Sequence, residues 1–461
     1  MSLRRTKLVC TIGPASVERA DELVAAGMDV ARVNFSHGEP AEHARAVEQV
    51  RRAAGAVGRA LAVMTDLSGP KIRLGALEGG ELELRPGATL ALGAEGVATT
   101  YPGLAADLEP GDRILLADGA AELRVVEADG AVVRAEVLRG GTVRSGAGVN
   151  VPSERLSTPS LTDRDRADVP RARDLGADYV AQSFVRRASD VEELRSLLGP
   201  DGPRIVAKIE TRPAVDDFDA VCRAADAVMI ARGDLGVELP YEEVPILQKQ
   251  LVRHALDAGV PAIVATQMLE SMTAAPRPTR AEASDVANAI LDGADAIMLS
   301  AETAIGAYPV LAAEAAVRIA QLCEERGASL LPEGSPAESM TDADAVAYAA
   351  VALARTDPDV AAIACYTRSG RSARILSSLR PRVPIVAFSP DAGVVASLAL
   401  VHGVRPEPCS VSSRDGAAER LDLVPLVRER VPLPAGSAVV LVASTADPGS
   451  GPNWLEIEHL R

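Results

Sequence analysis

The chain has 461 residues, of which 48% are hydrophobic but only 2% aromatic, so aliphatic side chains must fill a sizeable core. Its formal net charge of −16 opposes general attraction to nucleic acid or to an anionic membrane, and we expect neither as a partner. Five scattered cysteines without metal-ligand spacing, and no stretch of the ~18 uninterrupted apolar residues that cross a bilayer, predict a cytoplasmic protein with reduced thiols.

Eight strand-like apolar runs alternate with helical patterns and predict an α/β fold built on a (β/α)8 barrel. The first three are Lys7–Ile12, Asp29–Val33 and Leu61–Thr65. The other five are Tyr179–Phe184, Ile205–Glu210, Ala227–Asp234, Ala262–Gln267 and Ala296–Glu302. Since such a barrel takes about 250 residues, we expect further domains.

Between the third and fourth runs the pattern changes to short alternating segments, punctuated by Gly-Gly, Pro-Gly and Asp-Gly turn signals. This change predicts a small β domain inserted into the barrel. After Arg326, a polar connector leads to renewed strand and helix alternation, which predicts a C-terminal α/β domain. The predicted divisions are 1–69 and 153–338 for the barrel, 70–152 for the inserted domain and 339–461 for the C-terminal domain.

Polar side chains follow the strand-like runs in the second part of the barrel. They are Lys208, Glu210, Asp234, Thr266 and Ser300. Because the active site of a β/α barrel lies at the C-terminal ends of its strands, these side chains predict one site. Glu210 and Asp234 supply the oxygen ligands that Mg²⁺ prefers, and Lys208 lies on the same side of its strand as Glu210, facing a phosphoryl group. The alternative is a structural salt bridge between Lys208 and either carboxylate.

A second cluster lies in the segment ARVNFSHG, where Arg32, Asn34 and Ser36 alternate on one side of an extended chain. Arginine offers a bidentate fork to phosphate or carboxylate, while asparagine and serine offer neutral donors and oxygens. The alternative is a solvated loop. His37, a lone loop histidine, is more typical of a solvated position.

A third cluster lies in TDLSGPKIR, where Asp66 ends a strand and Gly69-Pro70 turns the chain into the inserted domain. Lys71 and Arg73 then lie at the mouth of the predicted cleft. A hinge with solvated charges would explain the same residues.

The segment TRSGRSAR, residues 367–374, follows a strand and opens a helix in the C-terminal domain. Hydroxyls, backbone N–H groups and arginine at a helix N-terminus form an anion site. Ordinary capping of the helix by Ser369 is the alternative.

Eight segments, in this order, resemble the pyruvate kinase family over nearly the whole chain. They are KLVCTIGPAS, GMDVARVNFSHG, DLSGPKIR, VAKIE, MIARGDLGVE, ATQMLESM, PTRAEASDVANAILDGADAIMLSAETA and TRSGRSA. The resemblance implies a TIM barrel with a β-barrel lid and a C-terminal regulatory domain. It also implies phosphoryl transfer from phosphoenolpyruvate to ADP, giving ATP and pyruvate in the last step of glycolysis, by a homotetramer.

The resemblance assigns roles to residues of this chain by position. The implied catalytic residues are Arg32, Lys208 and Thr266, and the implied substrate contacts are Arg32, Ser183, Lys208, Gly233, Asp234 and Thr266. Mg²⁺, for which Mn²⁺ substitutes, would bind Glu210 and Asp234. The nucleotide would contact Thr11, Pro14, Asn34, His37 and Arg73. A phosphorylated small-molecule effector would bind Thr367, Ser369, Arg371 and Ser372.

The residues of the monovalent-cation region predict whether the protein requires K⁺. Relatives that require K⁺ hold it with residues matching Asn34, Ser36, Asp66 and the carbonyl of Leu67, and they have Glu where this chain has Lys71. Relatives that work without K⁺ have Lys there. We therefore expect Lys71 to replace K⁺, which would not be required.

Three positions depart from the family pattern, and two rival functions remain open. Ala301 replaces a glycine, Ala147 stands where a nucleotide-contacting lysine is common, and Asp118 lies in a loosely matching lid segment. A magnesium-dependent lyase or aldolase of the pyruvate-enolate class would share the barrel and the metal pair without needing a nucleotide. A catalytically dead regulatory homologue is disfavoured because the implied catalytic and metal residues are present.

Overall fold

A computed structural model describes residues 4–334, 340–409, 423–431, 433–434, 436–443 and 452–460. The first part of the barrel contains β1 (Lys7–Thr11), α1 (Ala20–Ala26), β2 (Val30–Asn34), α2 (Pro40–Ala56) and β3 (Ala62–Asp66). These strands are buried almost throughout, as expected where parallel strands have both faces covered. Helix α2 begins at a proline in its first turn, after a reciprocal capping box between Glu39 and Glu42.

The inserted domain is built from antiparallel strands around a core of its own. Its elements are β4 (Glu81–Leu84), β5 (Thr89–Gly93), α3 (Leu104–Asp107), β6 (Arg113–Leu116), β7 (Ala121–Asp129), β8 (Val132–Arg139), β9 (Gly141–Arg144) and β10 (Val149–Asn150). Five strands pair in the order β10-β6-β7-β8-β5, and β4 pairs with β9. The strands β9 and β10 were not expected from the sequence, because β10 has only two residues and β9 begins within the Gly140-Gly141 pair, which is a turn signal.

The second part of the barrel contains five strands and nine helices of the described chain. They are α4 (Asp163–Asp174), β11 (Tyr179–Gln182), α5 (Ala188–Leu198), β12 (Arg204–Ile209), α6 (Arg212–Asp216), α7 (Phe218–Ala224), β13 (Ala227–Ala231), α8 (Arg232–Glu238), α9 (Val244–Asp257), β14 (Ala262–Ala265), α10 (Arg280–Leu291), β15 (Ala296–Leu299), α11 (Ala301–Ala304) and α12 (Pro309–Arg326). Threonine caps at Thr162 and Thr279 start α4 and α10.

The predicted eight-stranded barrel is confirmed. The strands close in the order β1-β15-β14-β13-β12-β11-β3-β2, all parallel, and Lys7 pairs with Ala296 where the first and last strands meet. Several predicted runs extend past their strands, and two of them extend into the next helix: Asp234 lies in the first turn of α8 and Glu302 in α11. Both residues therefore lie on the short helices that follow β13 and β15.

The C-terminal domain contains a five-stranded sheet in the order β18-β17-β16-β19-β20, with β20 antiparallel to its neighbour. Its elements are α13 (Asp342–Thr356), β16 (Val360–Tyr366), α14 (Arg371–Ser378), β17 (Ile385–Ser389), α15 (Ala392–Ser397), β18 (Val404–Pro408), α16 (Leu423–Arg430), β19 (Ala438–Ala443) and β20 (Trp454–His459). Short 3₁₀ helices in the whole described chain are Val17–Arg19, Glu78–Gly80, Ser153–Arg155, Glu270–Thr273 and Leu398–Leu400.

The C-terminal domain contributes side chains to the interior of the barrel. Ala399 and Leu400 belong to the same buried cluster as inward-facing strand residues such as Met64 and Met229. The Tyr179 hydroxyl on β11 donates a hydrogen bond of 2.5 Å to the carbonyl of Ser397. The 3₁₀ helix Leu398–Leu400 therefore packs into the end of the barrel opposite to the strand C-termini.

Among the described residues, no helix combines the length and the apolar character needed to cross a membrane.

Candidate active site

Three charged side chains from different strands meet at the C-terminal ends of the barrel strands. Asp66, at the end of β3, accepts a hydrogen bond from Arg32 Nε at 2.7 Å and another from Lys208 Nζ at 3.3 Å. Arg32 lies on β2 and Lys208 on β12, and all three residues are more than nine-tenths buried. One carboxylate thus holds both of the predicted catalytic cations in fixed positions.

Lys208 is shared between two carboxylates. Its Nζ lies 2.9 Å from Glu210 Oε1 and donates to Ser183 Oγ at 2.7 Å. Burial opposes its charge, but Asp66 and Glu210 outweigh that effect and raise the pKa of Lys208. The lysine therefore stays protonated at neutral pH. The salt bridge with Glu210 that was considered from the sequence is present.

Glu210 is a buried carboxyl group just after β12, and its surroundings oppose its negative charge. Burial raises its pKa, the nearby charge of Asp234 adds to that effect, and Lys208 offsets part of it. Its Oε2 accepts the backbone N–H of Phe184 at 2.9 Å, while Oε1 faces the Lys208 ammonium. Phe184 adopts a φ of +55°, so its N–H is directed at Glu210 by a backbone conformation that non-glycine residues rarely adopt.

Asp234 faces the same space from the first turn of α8. Its carboxylate is partly exposed, and Lys71 Nζ lies 3.9 Å from its Oδ1. Among the described residues no group of three or more His, Cys, Asp or Glu side chains forms a metal cluster. Two carboxylates fit Mg²⁺, which commonly takes one or two carboxylates and completes its shell with substrate oxygens and water.

Thr266 lies in a strained turn after β14. Thr266 and Gln267 have φ angles of +70° and +54°. Thr266 Oγ1 donates to the carbonyl of Ala265 at 2.6 Å and accepts the N–H of Gly233 at 2.7 Å. A Cβ atom on Gly233 would lie 3.3 Å from the same Oγ1, so glycine permits this close approach. The hydroxyl is thereby fixed beside the turn that carries Asp234.

Arg232 supports this turn, a role that was not inferred from the sequence. Its Nη2 donates to the carbonyl of Thr266 at 2.8 Å, and its Nη1 donates to Asp285 Oδ1 at 2.7 Å. Glu302 has a similar role on the neighbouring strand end: it is fully buried and accepts the backbone N–H groups of Ser300 and Leu269 at 2.7 and 3.0 Å. Nothing in the local sequence distinguishes such supports from surface charges.

The residues predicted to contact the nucleotide lie along the edge near β1, β2 and the entrance to the lid. Thr11 Oγ1 accepts from Arg32 Nη1 at 2.9 Å, so Thr11 also positions the catalytic arginine. Pro14 and His37 are exposed. Burial lowers the pKa of His37, and the charges of Arg73 and Arg32 lower it further, so cations surround this edge.

The residues predicted to bind a monovalent cation each have a hydrogen-bond or ion-pair partner within the protein. Asn34 Oδ1 accepts the backbone N–H of Ser36 at 3.0 Å. The carbonyl of Leu67 accepts from Ser183 Oγ at 2.8 Å, and Asp66 pairs with Arg32 and Lys208. The Lys71 ammonium extends towards Asp234. The structure therefore brings the tethered cation next to a predicted metal ligand.

The predicted effector loop lies in the C-terminal domain. Thr367 Oγ1 accepts the N–H of Gly370 at 2.9 Å, and Ser369 Oγ accepts the N–H of Arg371 at 3.4 Å. Ser372 is buried in the first turn of α14. The Arg204 guanidinium, at the start of β12, donates to the carbonyl of Ser369 at 3.4 Å. The loop thus contacts one end of the strand that carries Lys208 near its other end.

The positions that depart from the family pattern lie outside the charged cluster. Ala147 packs against the core of the inserted domain. Ala301 is the first residue of α11, and Asp118 adopts a φ of +53° in the turn between β6 and β7.

Comparisons with known proteins agree with this geometry. The family model described as pyruvate kinase, barrel domain, matches residues 3–313, and the model described as pyruvate kinase, alpha/beta domain, matches residues 344–457. The chain belongs to the pyruvate kinase family. A pyruvate kinase of Geobacillus stearothermophilus is 45% identical over 419 residues, which are 87% of this chain and 71% of the relative.

Relatives of closer length give the same result. A pyruvate kinase of Mycobacterium tuberculosis (strain CDC 1551 / Oshkosh) is 43% identical over 462 residues, covering 97% of this chain and 96% of the relative. One of Corynebacterium efficiens is 42% identical over 432 residues, covering 91% and 90%. The two family models and these relatives support a phosphotransferase of the pyruvate kinase family that depends on a divalent metal.

Proposed function

We propose that this protein transfers the phosphoryl group of phosphoenolpyruvate to ADP, giving ATP and pyruvate, and that Arg32 and Lys208 neutralise the group in transit. The observation that carries the proposal is the fixation of both cations by one buried carboxylate, Asp66, at the C-terminal ends of the barrel strands. Phosphoryl transfer depends on positioning and on electrostatic stabilisation of charge spread over the phosphoryl oxygens. A preorganised pair of cations supplies both.

Glu210 and Asp234 would hold Mg²⁺, with Mn²⁺ as a substitute. Their fit rests on two neighbouring carboxylates, one buried and one partly exposed, and on the charge of Asp234, which helps to raise the pKa of Glu210. Bound there, the dication would neutralise phosphate and carboxylate oxygens of the substrate. Ser183 and Gly233 would contribute the neighbouring hydroxyl and backbone contacts with the substrate.

Thr266 would take part in proton delivery to the enolate. Its hydroxyl is fixed by the Gly233 N–H and by its own strained turn, so it presents an oxygen in a defined position. The inserted domain would close over Thr11, Pro14, Asn34, His37 and Arg73, excluding water that would otherwise hydrolyse the transferred group.

The assay that tests this function measures pyruvate production from phosphoenolpyruvate with and without ADP. Lys208→Met should lower kcat on the order of 10²-fold or more, because it removes one preorganised cation. Lys249→Met is the matched control, since Lys249 is half-exposed on α9 and pairs with Asp292. Equal turnover in the two variants would refute the assigned role. Pyruvate formation without ADP would favour a lyase instead.

Lys71 would supply the positive charge that K⁺ brings to the site in relatives that require this ion. Its ammonium lies 3.9 Å from Asp234 Oδ1, where a tethered cation acts without the entropic cost of capturing an ion. We expect full activity with Mg²⁺ and a bulky organic counter-cation, and a K⁺ requirement in Lys71→Glu. Many-fold activation of the unmodified enzyme by K⁺ at constant ionic strength would contradict this assignment.

The C-terminal loop would bind the phosphate of a small effector through Thr367, Ser369, Arg371 and Ser372. The contact of Arg204 with Ser369 supports coupling, because it links the loop to the strand of Lys208. Effector binding should shift substrate affinity by about 1–3 kcal/mol, a usual range for allosteric pairs. If Arg371→Ala leaves the response to every active effector unchanged, the effector binds elsewhere.

The assembly, location and domain limits are part of the same proposal. Large apolar side chains at Tyr241, Ile246 and Ile305 are well exposed, which supports burial between subunits of a homotetramer. The five free cysteines support a reducing, cytoplasmic location. The divisions 1–69, 70–152, 153–338 and 339–461 are supported by the buried clusters of the inserted and C-terminal domains, while Ala399 and Leu400 join the cluster of the barrel.

A further inference from the structure

A small cavity lies where the C-terminal domain meets the barrel, at the end opposite to the active site. Its walls include Gly293, just before β15, and the segment that follows α14. Charged and titratable side chains in the wall are Arg5, Glu333, Arg380, Arg382 and His402. We call it the junction cavity. Its volume is about 30 Å³, on a scale on which one water takes roughly 10–15 Å³.

Arg380 is a buried cation in the wall of the junction cavity. Its side chain is 6% exposed, and its Nη2 donates at 2.9 Å both to the Gly293 carbonyl and to Asp295 Oδ2. Its Nε and Nη1 are buried and have no hydrogen-bond partner among the described residues. A guanidinium only donates, so these nitrogens require an acceptor. Leaving such donors unpaired in a buried site is costly.

His402 is a second buried side chain of the cavity wall that has an unpaired ring nitrogen. It is more than nine-tenths buried, and its ring Nδ1 has no partner among the described residues. Burial lowers the pKa of His402 well below its usual range, and the charges of Arg380, Arg5 and Lys7 lower it further. The neutral ring donates from Nδ1 in one of its two tautomers. Three cations therefore lie near the ring, and two of them, Arg380 and Arg5, are paired with Asp295 and Glu324.

Two features select the chemistry of the occupant. Buried donors without acceptors, beside three cations, favour an anion over a neutral molecule. The enclosed volume fits a tetrahedral oxyanion, so a sugar or base attached to it would have to lie outside the cavity. We propose that the junction cavity binds free inorganic phosphate through Arg380 and His402, and that the bound anion joins the C-terminal domain to the barrel.

This site differs from the predicted effector loop, which lies at the other end of α14. Helix α14 begins at Arg371 and ends at Ser378, and Arg380 follows it. A phosphate in the junction cavity would contact the C-terminal end of the helix, so it cannot use the helix N-terminus. The residues that distinguish the two sites are Arg371 for the loop and Arg380 for the cavity.

The test compares the thermal unfolding midpoint in phosphate with that in chloride at equal ionic strength. Arg380→Lys retains the charge that pairs with Asp295 but removes Nε and Nη1 as donors. It should raise the phosphate concentration for half of the stabilisation on the order of tenfold or more. His402→Phe, which keeps a ring without Nδ1, should weaken the response in the same direction. Arg371→Ala tests the effector loop as the alternative site, and a response that depends on the junction cavity should persist in it. Arg318→Lys, exposed on α12 and paired with Glu314, is the control and should respond as the unmodified protein does.

Crystals soaked in selenate locate the anion directly. A peak in the anomalous difference map within hydrogen-bonding distance of Arg380 Nη1 supports the proposal. Water alone at that position overturns it. The proposal is also overturned if Arg380→Lys and His402→Phe both keep the full response to phosphate, or if Arg371→Ala alone abolishes it.

Discussion

Removal of one negative charge from Asp66 should destabilise the barrel as well as stop catalysis. Asp66→Asn keeps the shape of the side chain but leaves Arg32 and Lys208, both buried, without their shared carboxylate. At the observed separations of 2.7 and 3.3 Å, each ion pair has a Coulomb energy of roughly 5–6 kcal/mol at an effective dielectric constant of about 20. Much of this energy is offset by desolvation of the ions.

The net loss is smaller, because each cation keeps another partner. Lys208 keeps Glu210, and Arg32 keeps the hydroxyl of Thr11. Breaking a buried pair by removing one partner costs about 3–5 kcal/mol, and we expect the lower end of that range. Far-UV circular dichroism during urea unfolding follows secondary structure, most of whose helices lie in the barrel. The only tryptophan, Trp454, lies in β20, so its fluorescence reports the C-terminal domain.

Asp226→Asn is the matched control for this measurement. Asp226 pairs with Arg195 and Arg204 at 3.0 and 3.4 Å, but both arginines are substantially exposed. Pairs of this kind contribute about 1 kcal/mol or less, so the control should lose little stability. An Asp66→Asn protein no less stable than Asp226→Asn would refute the view that Asp66 balances two buried cations.

Two further predictions concern the metal and the domain junction. Glu210→Gln and Asp234→Asn should each sharply raise the Mg²⁺ concentration needed for half-maximal activity, because an amide oxygen is a poorer ligand for a hard dication; unchanged titration curves in both variants would place the metal elsewhere. Burial lowers the pKa of Lys7 from 10.5 to about 8 in the folded protein, where Nζ donates to the carbonyl of Val404 at 2.6 Å. The unfolded chain therefore holds more protons than the folded protein between pH 8 and 10.5. Across this window the free energy of unfolding should rise with pH by on the order of 3 kcal/mol relative to that of Lys7→Met. If the free energies of unfolding of the two proteins, measured in urea, change with pH in the same way, Lys7 does not titrate there.

The barrel could be predicted from the sequence because its strands are buried on both faces. The runs at 227–234 and 262–267 consist of apolar residues followed by polar ones, so their order along the chain predicts both the fold and one edge of the site. The same logic placed Lys208 and Glu210 together, since alternate residues of a strand share a side.

Other features depend on contacts distant in sequence. Asp66 was assigned to the monovalent-cation region, and its pairing with Lys208, 142 positions away, follows only from closure of the barrel. The positive φ angles of Phe184 and Thr266 could not be predicted, because neither residue type favours that conformation. Such strain persists only where surrounding contacts, such as those of Arg232, hold the backbone in place.

The packing of Leu398–Leu400 into the barrel limits how this protein can be recombined with its relatives. Ala399 and Leu400 are buried with barrel residues. A chimera that takes its barrel from one protein and its C-terminal domain from another therefore builds this core from two different sequences. A donor C-terminal domain with a larger side chain at position 399 would overfill the space beside Met64 and Met229, and a smaller one at position 400 would leave a void. Chimeras should therefore fold reliably only when these two positions come from the same parent as the strands they contact.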